Sequence, residues 1–248
     1  MKTLAIVQAR TTSTRLPGKV LMPILGRPML ALQLERMRRA AALDGMVIAT
    51  TTNAADEPIV ALCERDAVPC FRGSEHDVLS RYAGAAQAFE ADTIVRVTSD
   101  CPLIEPGLID QAVGIFNDAQ GQLDYVSNML EPRFPYGLAV EVFSREALEQ
   151  AHRGAVQDAE REHVTPYIYW RPEQFRLRAM LHRENLSHHR WTVDTPEDFE
   201  LVTRIFTALY PENPQFNMHH VLQLLENNPA WLEINQHIAQ KVPQPTTH

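Results

Sequence analysis

The first thirty-four residues hold five cationic side chains and no acidic one, in a chain of 248 residues whose formal net charge is −8. The five are Lys2, Arg10, Arg15, Lys19 and Arg27. Ser, Thr and Gly between them let the backbone turn its N–H groups towards an anion, and Arg and Lys donate charge-assisted hydrogen bonds to phosphate oxygens. The segment from Gln8 to Leu30 therefore predicts a triphosphate site, with a solvated basic loop as the alternative interpretation.

Asp100 is the first carboxylate whose position suggests chemistry. It follows the apolar run 93–98, which is typical of a buried strand, and so is expected at the carboxyl end of that strand. Magnesium in nucleotide sites is held by one or two carboxylates together with substrate phosphates. A turn or N-cap aspartate ahead of Pro106 is an equally good interpretation from the residues alone.

The elements that position these groups alternate between strand and helix, which predicts an α/β fold with a mostly parallel sheet flanked by helices. Ligands bind beyond the carboxyl ends of strands in such sheets. Two strands with no helix between them, at 125–127 and 139–143, predict a small antiparallel excursion. The other predicted strands are 3–7, 46–50, 69–71, 93–98, 175–181 and 190–193. The predicted helices are 29–42, 57–65, 77–89, 107–116, 144–152, 196–210, 218–225 and 230–240.

The opening segment resembles the signature of the sugar-acid cytidylyltransferases. The resemblance lies in Arg10, Ser13, the run from Arg15 to Lys19, and the closing 26–29 (Gly-Arg-Pro-Met). It extends to the 3-deoxy-manno-octulosonate and acylneuraminate cytidylyltransferases and is closest to the spore-coat polysaccharide biosynthesis (SpsF-type) branch. The segment contains neither a Walker loop nor the GxGxxG fingerprint. The resemblance implies a Rossmann-like fold of the nucleotide-diphospho-sugar transferase type.

The resemblance also assigns roles to residues. Asp100 lies in an Asp-x-Pro-Leu-Ile motif and Asp194 in a Val-Asp-Thr-Pro-Glu-Asp motif, where the family carries its two Mg²⁺ carboxylates. The implied catalytic residues are Arg15, Lys19 and Asp100. The implied nucleotide-binding residues are Gln8, Ala9, Arg10, Ser13, Thr51, Thr52 and Ser74. The implied acceptor-binding residues are Tyr136, Gly137 and Glu141, although Ala139 stands where relatives often carry an acid.

The region around His163 resembles a motif of the SpsF-type branch, over residues 160–168. We expect His163 to have a structural or dimer-contact role, because it and Tyr167 share one face of a helix. A homodimer is predicted from this helix and from 136–143, since both combine aromatic and apolar residues. Thr195 is predicted to cap the helix that follows Asp194.

Composition limits the classes of partner. The negative net charge argues against binding to nucleic acid or to anionic membranes. No apolar run approaches a membrane span and no signal peptide is evident, so a cytoplasmic location is expected. The predicted organisation is a nucleotidyltransferase domain at 1–210 with a helical C-terminal extension at 211–248 packed on it. The tail, 243–248, is expected to be disordered.

The predicted function is transfer of CMP from CTP to a sugar acid or related small anionic acceptor, with release of pyrophosphate, for the synthesis of surface polysaccharide precursors. Two alternatives are a glycosyltransferase that uses a nucleotide-sugar donor and a catalytically silent nucleotide-sugar-binding protein. A glycosyltransferase usually presents a paired Asp-x-Asp, whereas Cys101 and Pro102 follow Asp100 here. A silent protein would be expected to lose Lys19, Asp100 or Asp194.

Overall fold

The computed structural model describes residues 1–240 and Gln244, and seven strands within this part of the chain form one sheet. Their order is β5-β4-β1-β6-β8-β7-β9, and a separate hairpin joins β2 to β3. The strands are β1 (Thr3–Gln8), β2 (Pro23–Ile24), β3 (Arg27–Pro28), β4 (Gly45–Thr51), β5 (Cys70–Gly73), β6 (Thr93–Thr98), β7 (Tyr125–Ser127), β8 (Glu141–Ser144) and β9 (Leu177–Ala179).

The sheet is mostly parallel, which confirms the predicted fold class. β5, β4, β1 and β6 are parallel neighbours, and only β8 runs against the other strands of the sheet. The predicted antiparallel excursion is therefore the pairing of β8 with β6 and β7 inside the main sheet. The predicted interface segment 136–143 contributes Val140, Val142 and Phe143 to the core of its own chain, so these side chains cannot form a dimer interface.

Helices cover both faces of the sheet. They are α1 (Met29–Met37), α2 (Glu57–Arg65), α3 (Val78–Ala88), α4 (Pro106–Asp118), α5 (Arg145–Gly154), α6 (Asp158–His163), α7 (Pro166–Tyr169), α8 (Pro196–Leu209) and α9 (Met218–Asn227). Strand β1 shows how the layers divide, because side chains alternate between the faces of a strand. Ala5 and Val7 join the core beneath α1 and α4, whereas Leu4 and Ile6 join the core beneath α3 and α5.

Three predicted elements differ from the structure. The helix predicted to hold His163 and Tyr167 is two short helices, α6 and α7, because the chain turns at Val164, whose φ is 73°. Residues 190–193 do not form a strand: they make one isolated bridge, between Arg190 and Tyr136. Their apolar character reflects burial beneath α8, with Trp191 and Val193 almost fully covered. The predicted helix 230–240 is a short 3₁₀ helix, Pro229–Ile234, which ends where Asn235 turns its side chain into the domain.

The C-terminal extension is attached to the body of the domain through buried polar contacts. The Arg36 guanidinium of α1 donates to the carbonyl of Phe216 at 3.0 Å and lies over its ring, 4.3 Å from the centroid. The backbone N–H of Met218 donates to Glu105 at 2.8 Å. The division into a domain at 1–210 and an extension stays a prediction, and the predicted disordered tail falls outside the described residues, Gln244 excepted.

Candidate active site

A cavity of about 590 Å³ opens beyond the carboxyl ends of β1 and β6. It lies at the place predicted for a ligand in an open α/β sheet. The opening loop, α3, the end of β6 and the segment around Asp194 all contribute to its wall. Its cationic side chains are Arg10, Arg15, Lys19, Arg81 and Arg96, and its acidic ones are Asp100, Glu162 and Asp194. The wall is thus suited to an anionic ligand that carries a cation with it.

The opening loop is held by its own turn and by one distant carboxylate. Gly18 has φ 70°, a left-handed conformation that favours glycine, and its N–H donates to the carbonyl of Thr11 at 2.8 Å. Asp56 accepts from the N–H of Thr11 at 2.7 Å and from its hydroxyl at 2.8 Å. Burial favours the neutral form of Asp56, but the bonds from Thr51 and Thr11 outweigh it and lower the pKa of this carboxyl.

Lys19 lies between the two predicted metal carboxylates. Its ammonium nitrogen is 2.9 Å from Oδ1 of Asp194 and 3.5 Å from Oδ2 of Asp100. It also donates to the carbonyl of Val193 at 2.7 Å. Burial alone would lower the pKa of Lys19, but the charges of Asp100 and Asp194 outweigh burial and raise it, so the ammonium stays protonated.

The segment before α8 is brought to β6 by its backbone. The N–H of Val193 donates to the carbonyl of Asp100 at 2.8 Å, and the Thr192 hydroxyl donates to the same oxygen at 3.2 Å. The two aspartates therefore converge although Asp194 does not follow a strand. Asp194 follows the predicted strand 190–193 in the sequence, and the prediction of a strand there is wrong.

Asp194 contacts three cations. Oδ1 is 3.0 Å from Arg15 as well as 2.9 Å from Lys19, and Oδ2 is 3.1 Å from Arg190. Burial alone would raise the pKa of Asp194, but the charge and hydrogen bond of Lys19, with the charges of Arg15 and Arg190, lower it overall. The side chain is a carboxylate throughout the neutral range. Thr195 caps α8 as predicted, accepting from the N–H of Asp198 at 3.3 Å.

The residues predicted to bind the nucleotide fall into two groups. Gln8, Ala9, Arg10 and Ser13 line the cavity, whereas Thr51, Thr52 and Ser74 do not. The Thr51 hydroxyl is buried and donates to Asp56 at 2.5 Å. The Ser74 hydroxyl accepts from the N–H of Asp77 at 3.1 Å, and Thr52 is exposed beyond the end of β4. The structure thus gives Thr51 and Ser74 local bonds within the loops after β4 and β5.

The residues predicted to bind the acceptor lie behind the cavity wall. Glu141 is buried and accepts from Arg96, from the Tyr125 hydroxyl at 2.6 Å and from the Thr165 hydroxyl at 2.5 Å. Arg96 therefore stands between Glu141 and the cavity. Burial alone would lower the pKa of Arg96, but the charge of Glu141 raises it overall.

Tyr136 and Gly137 support the segment that precedes Asp194. The N–H of Tyr136 donates to the carbonyl of His189 at 3.0 Å, and the N–H of Trp191 donates to the carbonyl of Tyr136 at 2.6 Å. A Cβ at Gly137 would lie 2.5 Å from the backbone of Trp191, so a larger residue cannot replace this glycine without a backbone shift.

Several cavity residues were not singled out for ligand binding from the sequence: Arg81, Arg96, Glu162, His163 and Gln240. For Arg81 a signal was present, because it lies in the buried stretch of α3 beside Leu79 and Tyr82. A charged residue in such a position needs a partner or a ligand. His163 lines the cavity, and burial lowers the pKa of its imidazole, which favours the neutral form.

The sequence profile of a cytidylyltransferase family matches residues 4–238. The chain belongs to the cytidylyltransferase family. The spore coat polysaccharide biosynthesis protein SpsF of Bacillus subtilis is 33% identical to it over 91% of this chain and 95% of that protein. The solved structure of a cytidylyltransferase from Leptospira borgpetersenii has a TM-score of 0.90 and 30% identity, covering 98% of this chain and 100% of that one. The resemblance to the SpsF-type branch is confirmed.

A shorter match connects this cytidylyltransferase to enzymes that act on sugar acids. The 3-deoxy-manno-octulosonate cytidylyltransferase of Geobacter metallireducens is 38% identical over 113 residues, which cover 46% of this chain and 44% of that enzyme. The chain is a CTP-dependent nucleotidyltransferase of the Rossmann-like type. Family membership decides against the glycosyltransferase alternative. No helix among the described residues is long and apolar enough to cross a membrane.

Proposed function

We propose that this cytidylyltransferase transfers CMP from CTP to a hydroxyl of a small sugar acid, releases pyrophosphate, and serves the synthesis of surface glycan precursors. The observation that carries the proposal is the Lys19 ammonium between Asp100 and Asp194, at the end of a basic loop that lines one cavity. Cations for phosphates and carboxylates for a metal thus lie within one site.

The two carboxylates fit Mg²⁺. Among residues 1–240 and Gln244 no group of three or more His, Cys, Asp or Glu is placed to hold a metal, so a site built wholly from protein ligands is not available there. In nucleotide sites Mg²⁺ is usually held by one or two carboxylates, and substrate phosphates complete its shell. Asp100 and Asp194 would supply those oxygens. Bound Mg²⁺ would offset negative charge on the phosphates during transfer.

Lys19 and Arg15 are proposed to hold the leaving pyrophosphate. Both cations contact Asp194 in the structure, and phosphate oxygens are charged acceptors of the same kind. When the triphosphate binds, these donors would turn from the carboxylate to the phosphates, and Oδ1 of Asp194 would be available to a divalent cation. The acceptor oxygen would bond to the α-phosphorus as the bond from that phosphorus to pyrophosphate breaks, and the hydroxyl proton would pass to solvent. Positioning and charge stabilisation would lower the barrier to this step.

Arg81 is proposed to bind the cytosine ring. Its guanidinium is buried in the cavity wall, donates to the carbonyl of Ser74 at 3.0 Å, and retains an N–H at Nε with no partner among the described residues. A Cβ at Gly73 would lie 2.8 Å from Cγ of Arg81, so this glycine makes room for the arginine. Arg81 and Asp100 line the same cavity, so one bound nucleotide would reach both, Arg81 with its base and Asp100 through its phosphates.

Arg81 would discriminate between pyrimidines. A guanidinium only donates hydrogen bonds. Cytosine presents two adjacent acceptors, O2 and N3, whereas uracil carries a hydrogen on N3. We expect Arg81→Met to reduce the ratio of CTP to UTP affinity by about 10- to 100-fold, because hydrogen bonds to charged groups contribute about 1.5–3 kcal/mol. Inhibition by tripolyphosphate should not change, and equal loss of affinity for CTP, UTP and tripolyphosphate would contradict this role.

The acceptor is proposed to occupy the end of the cavity formed by Arg96, Glu162 and His163, beside Gln8. The predicted residues Tyr136, Gly137 and Glu141 would then act on the acceptor indirectly, through Arg96 and the segment before Asp194. A neutral His163 suits a hydrogen bond to a hydroxyl.

The decisive experiment is pyrophosphate release measured with each of the four nucleoside triphosphates, with Mg²⁺, against a panel of ulosonic acids and phosphorylated small acceptors. We expect turnover with CTP and at least one sugar acid. Turnover with CTP and only non-acidic acceptors would refute the acceptor class, and equal thermal stabilisation by all four nucleotides would refute the base preference.

A homodimer and a cytoplasmic location are proposed on the sequence argument. Because β8 lies inside the sheet, the interface must use other surface, such as the half-buried rings of Tyr167, Tyr169 and Trp170. Light scattering at micromolar concentration should give twice the monomer mass, and a monomer mass would refute the dimer.

A further inference from the structure

The C-terminal segment 228–240 reaches the residues that hold Asp194. Asn235 is 3% exposed, and its amide nitrogen donates twice. One bond goes to the carbonyl of Arg190 at 2.9 Å and the other to Oδ1 of Asp198 at 2.8 Å. Both acceptors belong to the segment that carries Asp194.

Arg190 and Asp198 hold the side chain and the backbone of Asp194 through hydrogen bonds. The Arg190 guanidinium binds both carboxylate oxygens of the fully buried Asp198, at 2.8 Å each, and also reaches Oδ2 of Asp194 at 3.1 Å. Oδ2 of Asp198 accepts from the backbone N–H of Asp194 at 2.9 Å. The backbone and one carboxylate oxygen of Asp194 are thus held, and its Oδ1 faces Lys19 and Arg15.

Asn235 adds two hydrogen bonds to this network from a different segment of the chain. An amide N–H can bind the Asp198 carboxylate and the Arg190 carbonyl without adding charge to a buried site. An aspartate at 235 would place a second carboxylate beside Asp198 and compete for Arg190, and an apolar residue would leave both acceptors without this donor. The chain then continues to Gln240, which accepts from Arg190 and lines the cavity. Residues 228–240 therefore form part of the structure of the active site.

We propose that Asn235 is a positioning residue that sets the orientation of Asp194 towards a divalent cation and its nucleotide. The inference rests on the proposed function, because Asp194 needs a fixed orientation only if it is a metal ligand. Removal of a direct hydrogen-bond partner of a metal ligand typically changes metal affinity or activity by about 10- to 100-fold. Asn235 acts one bond further out, through Asp198 and Arg190, so we expect an effect at the lower end of that range.

The test compares Asn235→Ala with Asn228→Ala. Asn228 lies in the same segment and donates to the carbonyl of Leu224 at 2.8 Å, with no bond to the Asp194 network. The Mn²⁺ affinity would be measured by calorimetry in the presence of a non-hydrolysable CTP analogue. The melting temperature would be measured without ligands. Asn235→Ala should bind Mn²⁺ about 10-fold more weakly than wild type, the lower end of the range for direct partners of metal ligands. Asn228→Ala should bind it as wild type does, even where its melting temperature falls equally.

Equal Mn²⁺ affinity in wild type and Asn235→Ala would overturn the inference, as would equal losses in the two variants. If Asn235→Ala does not fold, Asn235→Ser keeps a shorter donor and should show an intermediate loss. A wild-type protein that binds neither Mn²⁺ nor the CTP analogue would instead refute the proposed function. The two failures are therefore distinguishable.

Discussion

Two regions meet at Asp194, and they differ in how tightly burial and hydrogen bonds hold their side chains. The opening loop brings Arg15, whose side chain is 37% exposed, and anchors itself through Thr11 and Asp56. The opposite wall brings Asp194 on a backbone bonded to Asp198, with Arg190 and Asp198 buried. The loop presents donors that can exchange one anionic partner for another, whereas the wall holds its carboxylate in one orientation.

This difference follows from the work that each side would do. Cations that receive a triphosphate have to give up their partners when it binds, so exposure and single contacts suit them. A metal carboxylate has to keep its direction, so it benefits from a buried and satisfied network. Lys19 lies between the two regions: it is buried like the wall but belongs to the loop.

The largest expected effects come from replacing the two aspartates. Comparison of the two variants separates a loss of turnover from a loss of unfolding free energy. Asp100→Asn and Asp194→Asn should each reduce kcat by about 100-fold or more, because each removes a charge from the proposed metal site. The Asp100 side chain is 27% exposed and should lose little stability. Asp194 pairs with three cations in a buried site, and breaking such pairs costs about 3–5 kcal/mol of unfolding free energy.

Steady-state kinetics and urea denaturation check both effects, with Asp118→Asn at the exposed end of α4 as the control. Full activity of either aspartate variant with Mg²⁺ would contradict the proposed mechanism. Equal destabilisation of the two variants would contradict the contrast between the partly exposed Asp100 and the buried Asp194.

Lys19→Ala should weaken CTP and pyrophosphate binding by about 10- to 100-fold, since one charge-assisted hydrogen bond contributes about 1.5–3 kcal/mol. Its removal also leaves Asp100 and Asp194 without the ammonium between them, and like charges repel. Mg²⁺ alone should therefore raise the melting temperature of this variant more than that of wild type. Lys2→Ala, at the other end of β1, is the matched control; a Mg²⁺ response equal to that of wild type would count against a shared site.

Arg15→Ala tests the exposed side of the comparison and should have a smaller effect. Because the side chain is 37% exposed, we expect the unfolding free energy to change by less than about 1 kcal/mol. The KM for CTP should rise several-fold while kcat changes less. Arg153→Ala, which removes another exposed pair 3.7 Å from Glu149, should leave the KM unchanged. A loss of stability as large as that of Asp194→Asn would show that the loop is not the adaptable side.

The smallest effect concerns pH. The folded-state pKa of Asp194 lies below its ordinary 3.8, so its contribution to stability is present above that value and is lost as the pH falls through the folded-state pKa. The pKa of Lys19 lies above its ordinary 10.5, so its contribution is present below 10.5 and is lost as the pH rises through the folded-state pKa. The stability difference between wild type and Lys19→Met should stay constant from about pH 7 to 9, where both groups keep their charge. Below that range it should become smaller, because Asp100 and Asp194 repel each other without the ammonium and take up a proton more readily in the variant. A titration of this difference between pH 7 and 9 would contradict the assigned directions.

Much of the fold could be predicted from local patterns. β6 and β7 match their predicted bounds, and Asp77, Ser144 and Thr195 cap their helices through side-chain oxygens. Short apolar runs and capping residues are local, so the sequence itself contains the whole signal. The basic loop and Lys19 were found for the same reason: their spacing is a property of one continuous segment.

The misassigned elements show where the local signal ends. Residues 190–193 have the apolar pattern of a strand because Trp191 and Val193 are buried. Such a pattern indicates burial, but it does not show that a neighbouring strand is hydrogen-bonded to the segment. The predicted antiparallel pairing of β8 is confirmed, but the sequence does not show that this strand lies inside the sheet, between β6 and β7. Which strand pairs with which is decided by packing of the whole chain.

By itself the sequence determined an α/β chain with a basic loop, two separated aspartates and a family signature. Only the tertiary structure decided that Lys19 stands between those aspartates and that Asn235 reaches the network behind Asp194. It also decided that Arg81 is buried in the wall of the same cavity, with no partner for its Nε among the described residues. The reason is physical: the charge and hydrogen-bonding capacity of a side chain are fixed by its type, but its partners come from segments far apart in the chain, which only the packed core brings together.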